Sequence, residues 1–329
     1  MLFLAYLFAV LKSTIYGLSI FFTSKLTDSV DVFDVLALRF LLSFVVIWLL
    51  KITRVLKINV GVKDFFKKND RTPFLRNLFL TALFEPVLYM LLETLGVSMT
   101  TNVTAAVIAS LAPVSSCIIE SVFLKERSTF LQKIFLACGI FGVIYIAVNT
   151  DTSSGENSLV GILFLVGSVL AGSLFTAFSR KSSSHFSPME ITYFSCLLGA
   201  VIFNAINIVR HLVRGDILHY FDPYFNIDNI IGFVFLGVLS TIVATIMNNF
   251  ALSRIQISTM AAFGGLSTVV TIAVGLMFGN ESLELYHYIG LPFIILRMVG
   301  VSVISIKKSR QELKIKPIKS ETAIPVTKE

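Results

Sequence analysis

Phe33-Asp-Val-Leu-Ala-Leu-Arg-Phe-Leu-Leu-Ser-Phe-Val-Val-Ile-Trp-Leu-Leu-Lys-Ile52 carries one acidic and two basic side chains, and the rest is almost entirely apolar. A helix of about twenty such residues spans the roughly 30 Å hydrocarbon core of a bilayer. Nine further runs of the same kind follow from the sequence. They are Leu2 to Ser24, Leu75 to Leu95, Val103 to Leu124, Leu131 to Val148, Leu159 to Phe178, Met189 to Val209, Ile230 to Ala251, Ser258 to Phe278 and Leu285 to Ile306. The segments between them are mostly short, as in antiparallel bundles. The expected architecture is therefore an all-α membrane protein of ten transmembrane helices.

Composition agrees, since hydrophobic residues make up 55% of the 329 positions and charged residues 14%, against roughly 25% charged in soluble domains. A net charge of +7 would suit a nucleic-acid partner, but the basic residues sit where apolar runs join, so no nucleic acid is expected. Placing the N-terminus in the cytoplasm puts Lys51, Arg54, Lys57, Lys63, Lys67, Lys68, Arg71, Arg76, Lys125, Arg127, Lys133, Arg180, Lys181, Arg254 and the basic tail inside. Only Lys25, Arg210 and Arg214 fall outside. The positive-inside rule then puts both termini in the cytoplasm. The first run lacks a basic leader and a cleavage site, which makes it a retained helix. Cys117, Cys138 and Cys196 lie within apolar runs without metal or disulfide spacing and read as inert thiols.

An offset of about 155 residues aligns the second half with the first, the weak internal symmetry of transporter repeats. In this register Gly17 meets Gly172, Lys25 meets Arg180, Ala105 and Ala106 meet Met260 and Ala261, and Glu126 meets Glu281. Five helices per unit make the copies inverted in the membrane. The expected domains are a first repeat over 1–150, a second over 155–308, and a disordered basic cytoplasmic tail over 309–329. The basic start of the tail could touch anionic lipid.

Thr101-Asn-Val-Thr-Ala-Ala-Val-Ile-Ala-Ser-Leu-Ala-Pro113, followed by Phe123-Leu-Lys-Glu-Arg127, Gln132 and Gly139, resembles the Ala-rich helix, proline, loop glutamate and next helix of the EamA-like members of the drug/metabolite transporter superfamily. Ala251-Leu-Ser-Arg-Ile-Gln-Ile-Ser-Thr-Met-Ala261 with Asn280-Glu281-Ser282 keeps the same plan. Tyr16-Gly17 and Arg39 resemble the family's aromatic-Gly and its helix 2 arginine. The departures are Thr268 in place of the second proline and Arg297 within the last span. The resemblance implies a central cavity surrounded by helices 1, 3 and 4 and their partners 6, 8 and 9, in a bacterial plasma membrane.

Ionisable groups at membrane depth are costly and usually face a cavity or a partner. Lys12 and Glu85 fall near mid-membrane, and Glu93 lies nearer the outer end of its helix. Pro86 beside Glu85 removes a backbone donor and should kink the helix, freeing a carbonyl. Two readings of Lys12 and Glu85 stand side by side: a substrate or proton site, or a structural ion pair locking two helices. Glu85, if unpaired, suits a proton relay. Asn248 and Asn249, near the repeat counterparts of Glu93 and Thr94, either complete the cavity or bond a neighbouring helix. Tyr16 and Tyr89 are candidates to stack on a substrate cation.

Other polar groups carry blander expectations. Arg39 should reach the outer interface by its long stem, and Glu120 and Arg297 the inner one. Glu126 and Glu281 should shape loops, and His287 should be a solvated interfacial residue.

The function expected is secondary transport of a small metabolite (an amino acid, nucleoside or drug-like compound) by alternating access, as an exporter, with no cofactor and no ATP-binding motif. Proton coupling and the choice between monomer and homodimer stay open. The competing classes are a lipid-modifying membrane enzyme and a non-transporting sensor. No HExxH, GxSxG or aspartate-rich motif supports the enzyme.

Overall fold

The computed structural model describes residues 2–54, 72–123, 129–149, 158–255, 257–279 and 283–315. The basic run at 55–71, Lys125, Glu126, Arg127, Glu281 and the tail beyond 315 lie outside them. The described residues form helices and turns without strands. In chain order the elements are α1 Leu2–Thr27, α2 Val32–Ile52, α3 in two halves (Thr72–Ala82 and Tyr89–Val97), and α4 in two halves (Asn102–Ala109 and Ala112–Phe123). There follow α5 Phe130–Asn149, α6 Leu159–Ser182, α7 Pro188–Arg214, α8 Ile227–Leu252, α9 Ile257–Phe278 and α10 Leu285–Ile315. Among the described residues six helices are long and apolar enough to cross a membrane: α1, α2, α3, α6, α7 and α8. Shorter apolar stretches occupy Asn102–Ser116, Lys133–Ile146 and Phe263–Phe278.

Local sequence explains the boundaries. The Asp31 carboxylate accepts from Phe33 N–H at 2.9 Å and starts α2, satisfying one of the donors a helix start leaves open. Ser187 and Glu190 form a reciprocal capping box at α7, with Pro188 in the first turn. The same helix ends at Gly215, whose φ of +76° is the left-handed conformation glycine adopts without strain.

Both halves of the chain contain interrupted helices. Glu85 leaves helical geometry at φ −139° and ψ 116°, the extended region to which a following proline confines a residue. Helix α4 is broken by a turn at Ser110 and Leu111, just ahead of Pro113, which has no backbone N–H to donate. In α8 the segment Phe235–Ala244 winds in widened turns. Hydroxyls from two helices hold it there: Thr241 donates to the Leu236 carbonyl at 2.7 Å, and Ser43 of α2 donates to that of Gly237 at 2.8 Å.

Helix packing follows the repeat. Helix α1 packs on α8 and α9, while its register partner α6 packs on α3 and α4. The pairs α2 with α7 and α5 with α10 join equivalent helices of the two halves. Cores lie between them, such as Ile20, Val97, Ala105, Ile108, Ile162 and Leu165 among α1, α3, α4 and α6. Gly17 permits the α1–α9 approach, since a Cβ there would lie 2.7 Å from the Ser267 carbonyl oxygen. Thr271 Oγ1 donates to the Gly17 carbonyl at 2.8 Å across the same contact.

Four expectations change. Arg39 does not reach an interface: it is 1% exposed and bonds into α8. Its position explains this, because seven residues beyond Val32 is about 10 Å below the helix start, too deep for the stem to climb out. Arg297 is also fully buried, its stem packed on Gly139 of α5. His287 is buried rather than solvated, with Nδ1 accepting from Glu284 N–H at 3.0 Å at the start of α10. Helix α10 continues to Ile315, past the boundary drawn at 308, through the strong helix formers of Lys307-Lys-Ser-Arg-Gln-Glu-Leu-Lys-Ile315.

Candidate functional site

A cavity of about 160 Å³ lies where the two halves meet. That volume is close to the roughly 150 Å³ that accommodates a benzene-sized molecule in a protein interior. Its wall comes from α1, α3, α4, α6, α8 and α9. Helical spacing brings the polar groups of each element to one face, with Lys12, Tyr16 and Ser19 from α1 and Glu85, Tyr89 and Glu93 from α3. The break at Glu85 displaces one helix half from the other without removing these residues from the wall. Small residues floor the site: Ala109 and Ala112 flank the α4 turn, and Gly172 of α6 lets Tyr89 lie close, since a Cβ there would sit 3.0 Å from the tyrosine Cδ2. Ala109 also precedes Pro113 by four residues, so its carbonyl loses the usual helical donor.

Four charged side chains organise the region. Lys12 Nζ lies 5.4 Å from the centre of the Tyr16 ring, within cation–π range. The Tyr16 hydroxyl meets Thr245 Oγ1 at 3.3 Å, tying α1 to α8. Tyr89 donates to Glu93 Oε1 at 2.5 Å, so this carboxylate is held on the wall by its own helix. Behind them Arg39 donates from Nε to Thr241 Oγ1 at 2.9 Å and from Nη2 to Ser240 Oγ at 3.3 Å. Those neutral hydroxyls orient the guanidinium but do not neutralise it.

Among the described residues, Lys12, Arg39, Glu85 and Glu93 form no ion pair within 4.0 Å. The arrangement places one lysine and two glutamates on the wall of a small space, with Arg39 outside the wall, and no ion pair within 4.0 Å joins them among the described residues. A desolvated, uncollapsed set of this kind binds polar groups strongly when they enter.

The structure brings Lys12, Tyr16, Glu85, Tyr89, Glu93 and Asn248 to the cavity. It separates the two asparagines. Asn249 lies off the wall, accepting from Ser179 Oγ at 2.8 Å and donating to Thr192 Oγ1 at 3.1 Å. Successive helical residues point about 100° apart, and here Asn249 is turned from the wall to the hydroxyls of α6 and α7. Sequence reasoning missed Arg39 with Ser240 and Thr241, and the hydroxyl cluster of Ser115, Ser116 and Ser173 joining α4 to α6. Depth along α2 was the available signal for Arg39. Among the described residues no group of three His, Cys, Asp or Glu side chains is placed to hold a metal ion.

Comparison with known proteins places the chain among transporters. The model of the EamA-like transporter family matches it twice, over residues 3–148 and 159–305. An uncharacterized transporter of Bacillus subtilis (strain 168), YcxC, is 33% identical over 307 residues, covering 93% of this chain and 95% of the relative. An uncharacterized transporter of Archaeoglobus fulgidus is 24% identical over 224 residues, 68% of this chain and 75% of the relative. A solved crystal structure superposes with a TM-score of 0.63 over 92% of this chain and 98% of the other, at 14% identity, a likeness of fold.

Proposed function

The chain belongs to the EamA-like transporter family, and from that premise we propose that it is a secondary transporter carrying a small metabolite through the central cavity by alternating access. A multi-pass membrane transporter of small molecules is the family assignment. The proposal adds ten spans as two inverted repeats, both termini in the cytoplasm, residence in a bacterial inner membrane, and export as the direction. Its substrate contacts are Lys12, Tyr16, Glu85, Tyr89, Glu93 and Asn248, with Asn249 supporting the wall from behind.

One observation carries this reading: Lys12, Glu85 and Glu93 line a cavity between two matched halves, and among the described residues none of them is joined to another by an ion pair. A purely structural Lys12–Glu85 lock would bring the two groups into contact, because desolvated opposite charges gain most when adjacent. Held apart, they leave room for a polar solute, and among the described residues Glu85 makes no side-chain hydrogen bond, unlike Glu93, which makes it the proposed proton-exchanging group.

Counterflow in proteoliposomes loaded with a mixed metabolite pool tests the reading. Native protein exchanges one compound unchanged, and Lys12→Ala and Glu85→Gln each lose at least about tenfold in rate, the size of effect when a buried charged contact is removed. Equal exchange by native protein and both variants would exclude the site. In the proton-coupled form of the proposal, Glu85→Gln also flattens the pH dependence of transport, and an unchanged profile removes the relay.

A further inference from the structure

The repeat register pairs Ser24, Lys25, Thr94 and Thr100 of the first half with Ser179, Arg180, Asn249 and Ile255 of the second. The second set is bonded together. Ser179 Oγ donates to Asn249 Oδ1 at 2.8 Å, and Arg180 Nη1 donates to the Ile255 carbonyl at 2.9 Å. Thr192 accepts from the Asn249 amide nitrogen at 3.1 Å, which keeps the amide oxygen turned toward Ser179. These contacts fasten the last turn of α6 to the end of α8 and the turn that follows it.

The first set offers similar chemistry in the equivalent place, a hydroxyl and a cation at the end of α1 and two threonines near the end of α3, but among the described residues no hydrogen bond joins the α1 pair to the α3 pair, and the Thr100 hydroxyl bonds back to the Gly96 carbonyl at 2.8 Å. Thr94 Oγ1 is buried with no hydrogen-bond partner. Lys25 is exposed and has no hydrogen bond or ion pair among the described residues. A buried hydroxyl without a partner is unfavourable, and it is the kind of group that gains a bond when a second packing is adopted. Two equivalent sites, one made and one unmade, are what a two-state element looks like when caught in one state.

We propose that Ser179–Asn249 and Arg180–Ile255 form a polar latch closing α6 onto α8, and that Ser24–Thr94 and Lys25–Thr100 are its counterpart, made between α1 and α3 when the latch opens. The device rests on the alternating-access reading. Arg180 and Lys25 are positioning residues: Arg180 bonds a main-chain carbonyl, Lys25 reaches the matching one only in the other state, neither lines the cavity, and together they bias which end of it is closed.

Paired cysteines in the full-length protein in proteoliposomes test this, with Cys117, Cys138 and Cys196 replaced by alanine and monodisperse elution required of every variant. One pair is Ser179→Cys with Asn249→Cys, and the other is Ser24→Cys with Thr94→Cys. The first pair cross-links readily on oxidation and the second slowly. Adding Arg180→Ala to the second pair accelerates its cross-linking by roughly tenfold, the shift expected when a charge-assisted hydrogen bond favouring one state is lost. Arg180→Lys restores the slow rate, and Lys25→Ala slows the second pair further. An unchanged rate in Arg180→Ala, or a second pair that never closes, overturns the latch. A separate Ser267→Cys reporter on the cavity wall, labelled by a membrane-impermeant maleimide added to either face, distinguishes the two levels of failure. Labelling from both faces with a silent second pair overturns the latch alone. Labelling from one face only, in native and Arg180→Ala backgrounds alike, overturns alternating access with it.

Discussion

Helices α3 and α8 occupy equivalent places in the two repeats yet depart from regular geometry by different means. In α3 the cause is local: Pro86 forces Glu85 into an extended conformation and the helix divides. In α8 the cause is partly distant, since Ser43 and Arg39 of α2 capture the Gly237 carbonyl and the Ser240 and Thr241 hydroxyls, adding to the bond Thr241 makes to the Leu236 carbonyl. The next helices differ as well. Helix α4 breaks ahead of Pro113, while α9 runs unbroken from Ile257 to Phe278 with Thr268 at the matching position. The lesson is that a duplicated plan tolerates divergence in how backbone groups are freed, provided irregular backbone stays inside the protein. Chemistry has divided too, because the charged wall comes from the first half and the second contributes neutral Asn248, Ser168 and Ser267.

Three measurements break or sharpen this contrast, in addition to the transport and cross-linking tests above. The largest effect is expected from Thr268→Pro, which imposes on α9 the break found in α4. A proline inside a helix costs about 3 kcal/mol or more, so thermal unfolding in detergent should drop by several degrees; an unchanged midpoint would mean that α9 already accommodates the break. Next, the register partners Gly17 and Gly172 should differ. Gly17→Ala sets a methyl 2.7 Å from a backbone oxygen of α9, which cannot yield without moving the helix, and should cost about 1–3 kcal/mol. Gly172→Ala meets the Tyr89 ring first, at 3.0 Å, and should cost under about 1 kcal/mol while altering transport through Tyr89. Reversal of that order would refute the view that α1–α9 is the tighter contact.

The smallest effect belongs to Asp31, between α1 and α2. The Arg210 hydrogen bond holds its carboxyl below the ordinary 3.8. A depressed carboxylate contributes its stability at neutral pH and loses it as pH falls through the lowered value. Asp31→Asn should therefore leave the melting curve at about pH 7 lower by less than about 1 kcal/mol, the pair being partly exposed, and should remove part of the acid-side decline. A variant that declines with acid as native protein does would exclude this pair as a contributor.

Much of this fold is readable from the chain. Apolar run length identified the helices, because that signal is written in residue type and spacing, and the helices 1, 3, 4, 6, 8 and 9 that the family resemblance implied are those that line the cavity. The α3 break was likewise legible, since Pro86 acts on its own neighbour. What escaped is tertiary. Little in Phe235-Leu-Gly-Val-Leu-Ser-Thr-Ile-Val-Ala244 announces widened turns, because the bond Thr241 makes within the segment is joined by groups that lie on another helix. The fate of Asn249 depended on whether Ser179 and Thr192 would meet it. For Arg39, long-stem reach argued one way and depth in the helix the other, and depth prevailed.

The placement of the charges has a consequence for heredity. Among the described residues, every titratable side chain on the cavity wall is encoded between codons 12 and 93. A crossover anywhere in the stretch that follows α3 would therefore hand the whole ionic complement to a recombinant gene as one block. Exchanging that block between relatives is then the shortest route to swapping what the pocket accepts, with the downstream portion serving as a common chassis.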